Sequence, residues 1–82
     1  MNKVLRFTAT WCGPCKFLAE SLSRVETTVP ITVVDVDEQP VLAAKYGIRS
    51  VPTLVMVDED GNATKTLTGN QTTDVLRKWL ND

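Results

Sequence analysis

Cys12 and Cys15 are the only cysteines in the sequence, and Gly13-Pro14 between them makes a C-x-x-C spacing. Two thiols this close along the chain can close into a disulfide and reopen with little backbone movement, which suits repeated turnover. As a staple the pair is poor, because so short a loop removes little unfolded-chain entropy compared with the roughly 3 kcal/mol expected of a 15-residue loop. As a zinc site it is incomplete: structural zinc normally takes four Cys or His ligands, and with no histidine in the chain a metal would need carboxylates or a second copy. No metal site is expected. The chemistry that fits is thiol-disulfide exchange, in which a thiolate attacks a disulfide sulfur and passes through a mixed disulfide.

The surroundings of the pair assign the two sulfurs different roles. A β-like run precedes the motif and an amphipathic helical pattern follows it, so a helix starting near Gly13 places Cys12 at its N-terminal end. There the unsatisfied backbone N–H groups and the positive end of the helix dipole favour a thiolate. A cysteine so placed has a lowered pKa and is the better nucleophile. Cys15, one turn further in, has its sulfur tucked beneath. Cys12 is therefore the expected attacking thiol and Cys15 the resolving one. Pro14 sits at an early helical position, where its missing N–H had no intrahelical partner to lose. Gly13 is expected to keep side-chain bulk away from the sulfurs.

The remaining elements must hold this junction in place. Lys3 to Thr8 reads as a buried strand with one polar intrusion, Arg6. The active-site helix is expected from about Gly13 to Glu26, with Cys15, Leu18, Leu22 and Val25 on one stripe and Lys16, Glu20, Ser23 and Arg24 outside it. The β-branched run from Ile31 to Val36 forms a second strand. Strand, helix and strand in that order imply a right-handed parallel crossover. Asp37-Glu38-Gln39-Pro40 opens a short helix of about two turns that Gly47 stops. Leu54 to Val57 is an apolar strand, Asp60-Gly61 a hairpin turn, and Ala63 to Thr68 a polar, edge-like strand. Thr72 caps a last helix whose Val75, Leu76, Trp79 and Leu80 cover the sheet. The order is βαβαββα.

Composition narrows the function further. The 82 residues, 43% of them apolar, make one small domain, 1–82, near the lower size limit for an independent core. A net charge of -1 gives no reason to expect nucleic acid or an anionic membrane as partner. No stretch is long enough to span a bilayer, and the N-terminal residues Met1-Asn2-Lys3 lead into an apolar run too short for a signal peptide. Two cysteines are too few for a disulfide-rich secreted scaffold, so a reducing cytoplasm is the default compartment. A monomer is expected. Lys45, Arg49, Lys65 and the acidic residues Asp58, Glu59 and Asp60 read as a solvated face with no assigned function.

Phe7, Ala9 and the run Trp11-Cys12-Gly13-Pro14-Cys15-Lys16, followed by Tyr46-Gly47-Ile48-Arg49-Ser50-Val51-Pro52-Thr53, Asp60-Gly61 and Gly69, closely resemble the thioredoxins, in order and over nearly all of the chain. Full-length members carry an additional strand and helix at the front. The resemblance therefore implies a minimal thioredoxin-like α/β core: a four-stranded mixed sheet of order 2-1-3-4, flanked by three helices, with its last two strands antiparallel. It also implies that Pro52 is a cis-proline facing the disulfide and that Val51 offers its backbone to an extended partner segment. Trp11, Gly13, Pro14, Val51, Pro52 and Gly69 would then form a shallow, mostly apolar groove around Cys12, with Trp11 a partly exposed platform.

Two positions depart from the family pattern. Where thioredoxins typically have a buried aspartate this chain has Arg6, and where they have its lysine partner it has Val33. An arginine cannot act as a base at physiological pH. Arg6 and Asp35 lie on neighbouring strands with side chains on one face, and either form an ion pair that tunes the thiols electrostatically or leave Arg6 to snorkel to the surface.

The function implied is a protein-disulfide reductase with no bound cofactor, re-reduced by thioredoxin reductase or another dithiol donor, with ribonucleotide reductase a common client of such proteins. A glutaredoxin-like, glutathione-dependent reductase is the rival within the same chemistry. It lacks support from the motif, which has no Pro-Tyr pair, and from Gly69-Asn70, only half of a glutathione-binding double glycine. A rival of another kind is a binding subunit with this fold and dispensable thiols.

Overall fold

The computed structural model describes residues 2–82. Seven elements follow one another: β1 (Lys3–Thr8), α1 (Gly13–Ser23), β2 (Ile31–Asp35), α2 (Pro40–Lys45), β3 (Thr53–Val57), β4 (Ala63–Thr68) and α3 (Thr73–Asn81). The strands form one sheet in the order β2-β1-β3-β4. β1 runs parallel to β2 and antiparallel to β3, which runs antiparallel to β4. This is the topology that the resemblance to thioredoxins implies.

Period-2 alternation divides the apolar residues of the central strands between two layers. Val4, Leu54 and Met56 face one side, where Leu18, Leu22 and Val25 from α1 and its exit meet Leu76 and Leu80 of α3. Leu5, Phe7, Val34, Val55 and Val57 face the other and pack with Ala43 of α2. All five residues of β3 are buried, which is why Leu54 to Val57 reads as an unbroken apolar run. Burying each such side chain contributes about 1.5–3 kcal/mol, so the central strands form a stiff base for the loops at their ends. No helix among the described residues is long and apolar enough to cross a membrane.

Two boundaries and one buried face differ from the sequence reading. α1 stops at Ser23 rather than Glu26, because Arg24 N–H donates to Ser21 O and Val25 N–H to Leu22 O, three residues back. These tight bonds close the helix while still delivering Val25 to the core, so the apolar stripe outlasts the α-helix. β2 ends at Asp35, whose Oδ1 accepts from the N–H groups of Asp37 and Glu38 and turns the chain toward α2. On α3, Leu76 and Leu80 are buried but Val75 is 41% exposed, so the helix covers the sheet with a narrower stripe than expected. Its cap is as read, with Thr72 Oγ1 accepting from Val75 N–H at 3.3 Å.

Candidate active site: the dithiol at the N-terminus of α1

The chain leaves β1 at Thr8 and turns at once, Cys12 N–H donating to Ala9 O at 3.2 Å. Cys12 is the N-cap of α1, with an extended backbone (φ -93°, ψ 103°) and Pro14 in the first turn behind it. Its sulfur takes the place that a Ser or Asp oxygen fills in an ordinary cap, accepting from the backbone N–H of Cys15 at 3.1 Å. A negative sulfur at this point is met by a directed donor and by the positive end of the helix. Cys12 and Cys15 are joined as a disulfide, their Cα atoms 5.4 Å apart. Both are buried, at 4% and 2% exposure, and pack with Ala9, Val36 and Val51. In the closed form burial therefore does not tell the two sulfurs apart. Their positions on the helix do.

The loop before β3 faces this helix end. The Val51-Pro52 peptide bond is cis. Val51 O lies 3.8 Å from Cys12 Sγ, although 39 residues separate the two in sequence. The loop is held from both sides: Thr53 Oγ1 donates to Ser50 O at 2.8 Å, and Gly69 N–H donates to Pro52 O at 2.9 Å. Gly69 has φ +79°, a left-handed conformation that favours glycine at this contact. The N–H of Val51 has no backbone partner among the described residues. Trp11 is 69% exposed beside Cys12, and its indole N–H donates to Asp37 Oδ2 at 2.8 Å, which holds the ring in one orientation.

Thus Val51 lies against the disulfide, Gly69 holds the Pro52 that follows it, and Trp11, Gly13 and Pro14 are exposed beside and in the first turn of α1. Apart from its neighbours Cys12 and Pro14 and the backbone of α1, no atom lies within 4 Å of where a Cβ at Gly13 would stand, so the space beside the sulfurs is open. Sequence reasoning missed a hollow of about 140 Å³ next to the disulfide, lined by Trp11, Val36, Ile48, Arg49, Ser50 and Val51. It also missed Asp37 as the anchor of Trp11. The acidic run before Pro40 was legible only as a helix start.

Arg6 and Asp35 form no ion pair among the described residues. Asp35 is engaged by the backbone of Asp37 and Glu38, and in the parallel register it lies opposite Thr8 while Arg6 lies opposite Val33. Arg6 stands on the α1 side of the sheet with Val4 and Leu54. It is half-buried, has no hydrogen-bond partner for its side chain among the described residues, and burial pulls its guanidinium below the ordinary arginine value. Of the two arrangements expected for it, the unpaired one is present.

The thioredoxin family model matches residues 1–82. Among curated proteins, the thioredoxin of Staphylococcus epidermidis is 40% identical over 95% of this chain and 78% of its own length. That of Bacillus subtilis is 37% identical over 92% and 75%. Among solved structures, the thioredoxin of Malassezia sympodialis superposes with a TM-score of 0.84 at 34% identity, covering 96% of this chain and 71% of that one. A mutant thioredoxin of Halobacterium salinarum gives 0.82 at 38% identity, with the same coverage. A dithiol capping a helix opposite a cis-proline, on a fold and sequence shared with these proteins, places the chain in the thioredoxin family of thiol-disulfide oxidoreductases.

Proposed function

We propose that residues 1–82 act as one thioredoxin-like domain that reduces disulfides of other proteins, with Cys12 attacking and Cys15 resolving. The Cys12 thiolate attacks one sulfur of the partner disulfide, forming a mixed disulfide and releasing the other partner sulfur as a thiolate. Cys15, deprotonated, attacks Cys12 Sγ, closes the intramolecular disulfide and releases the second partner sulfur. Two electrons pass to the partner, and the two partner thiolates take up two protons. The observation that carries this reading is the sulfur of Cys12 in a helix cap, 3.1 Å from the Cys15 N–H, beside a Val51 backbone free to pair with an extended segment. Trp11, Gly13, Pro14, Val51, Pro52 and Gly69 form the surface on which that segment lies. Arg6, placed on the α1 side of the sheet, supplies a positive charge that favours the Cys15 thiolate, a role in which Asp35 takes no direct part.

The dithiol is restored by an external donor, a flavoprotein thioredoxin reductase, and the protein works as a cytoplasmic monomer in electron transfer to clients such as ribonucleotide reductase. Insulin reduction tests the reading. Turnover with thioredoxin reductase and little with glutathione is expected, and the reverse would assign the chain to glutathione chemistry. A Cys15→Ser variant should accumulate a mixed disulfide through Cys12 that wild type does not, and failure to trap one would overturn the order of attack.

A further inference from the structure

The two outer edges of the sheet are guarded unequally. β4, at one edge, carries Lys65 near its middle, and its register with β3 shifts between Met56 and Val57. A lysine and a bulge are devices that keep an edge strand from pairing further. β2, at the other edge, has neither. Its run Ile31-Thr32-Val33-Val34 is uncharged and wholly β-branched, its register with β1 is unbroken, and Val33 is 52% exposed.

The ladder fixes which backbone groups of this edge are available. Val4 N–H donates to Pro30 O at 2.8 Å and Val36 N–H to Thr8 O at 2.9 Å, with Val4 opposite Ile31 and Thr8 opposite Asp35. In a parallel pair of this register the N–H and C=O groups of Thr32 and Val34 point to β1, and those of Ile31, Val33 and Asp35 point outward. Of these, only Asp35 O is engaged among the described residues, by Gln39 N–H at 2.9 Å. The N–H groups of all three and the carbonyls of Ile31 and Val33 are left for a further strand.

Charge decides what that strand is. From Val25 to Ala44 there is no Lys or Arg, while Glu26, Asp35, Asp37 and Glu38 are acidic. The uncharged edge therefore has a carboxylate before it and three at or after its end. Arg6 lies on β1, on the far side of β2 from the open edge. A second copy brings the same acidic ends in either direction, and like charges across a pair of strands repel. A segment with basic residues flanking β-branched ones meets complementary charge instead. We infer that the outer edge of β2 is a docking site for an extended segment of a partner protein, β-branched at its centre and basic at both ends, which joins the sheet as a further strand.

Blocked peptides with an alternating Val-Thr centre test this on the full chain in its disulfide form. One has lysine at both ends, one has glutamate, and two lysine-ended versions are N-methylated on one or the other set of alternate residues. Binding is read by NMR titration and by amide exchange. The lysine-ended peptide should slow exchange at Ile31, Val33 and Asp35 and leave the amides of β4 unchanged. The glutamate-ended one should bind about three- to tenfold more weakly at low salt, a gap that closes as salt screens it. One methylated peptide should bind like its parent and the other about tenfold more weakly, because only one set of N–H groups faces β2. Val33→Pro removes an N–H that lies outside the ladder to β1; it should weaken the lysine-ended peptide about tenfold and leave the alkylation rate of Cys12 unchanged. No slowing at these three amides, equal binding of the two methylated peptides, or a glutamate-ended peptide that binds as tightly as the lysine-ended one would overturn the inference. So would sedimentation showing self-association of wild type that Val33→Pro abolishes, since a second copy would then occupy the edge.

Discussion

Ionisation of Cys12 is the step on which the rest of the chemistry depends, and its size follows from the cap. A thiolate at Cys12 accepts one charge-assisted hydrogen bond from the Cys15 N–H, worth about 1.5–3 kcal/mol. It also gains about 0.3–1 kcal/mol from the helix dipole, and burial returns part of the sum. A net stabilisation of about 2.7 kcal/mol raises the ionisation constant about 100-fold over that of an unperturbed thiol. Well below neutrality this multiplies the thiolate population by the same factor. Nucleophilicity falls with basicity along a slope of about 0.4–0.5, so about one decade is lost again and the net gain in alkylation rate is about tenfold. The reduced protein is treated with iodoacetamide at about pH 6, and the modified residue is identified by peptide mass. The same chain in denaturant serves as the unperturbed reference. Cys12 should react about tenfold faster in the native protein than in the unfolded chain, while Cys15 lags behind its own unfolded rate. Preferential labelling of Cys15, or native and unfolded Cys12 reacting alike, would refute the cap argument.

Three further outcomes follow from particular contacts. Arg6→Met keeps the aliphatic stem of a half-buried arginine that lacks a partner, so the thermal midpoint should rise rather than fall; because it also removes the positive charge proposed to favour Cys15, resolution of the mixed disulfide should slow, as followed by quenched-flow mass analysis. Asp37→Ala removes the 2.8 Å acceptor of the Trp11 indole, and losing a bond worth about 0.5–1.5 kcal/mol should free the ring, seen as faster exchange of its indole proton by NMR and as a higher KM for peptide disulfides. Thr72→Ala deletes the side-chain cap of α3 and should cost about 1 kcal/mol, a fall in thermal midpoint of about 4–8 °C for a domain of this size, with the alkylation rate of Cys12 unchanged.

What could be read from the sequence was what is decided within a few residues. The stripe Cys15, Leu18, Leu22 and Val25 is a local period, and all four are buried as expected. The edge character of Ala63–Thr68 and the cap at Thr72 are equally local. The errors lie where a long-range register or a competing local bond decides. Arg6 and Asp35 do occupy one face of adjacent strands, but the register sets Arg6 against Val33 and gives Asp35 to the turn. The carboxylate is satisfied by backbone N–H groups two and three residues away before any distant cation can compete. The hollow was invisible for a related reason. Its two walls, Trp11 and residues 48–51, are far apart in the chain and meet only when β3 takes its place beside β1.

The same division runs through the chemistry. A C-x-x-C pair on a helix N-terminus is a local device, complete once α1 has formed and needing nothing beyond Cys15 to stabilise the attacking sulfur. The proposed pairing of a protein disulfide with Val51 relies instead on a loop brought across 39 residues of chain and held by single bonds from Thr53, Gly69 and Ile48. Segments secured by few contacts open more easily than a core strand such as β3. Loosening that loop should therefore impair reduction of protein disulfides before it impairs reaction of Cys12 with a small alkylating agent. The selectivity for partners is the more fragile of the two properties, and it is the one that this fold adds to a dithiol.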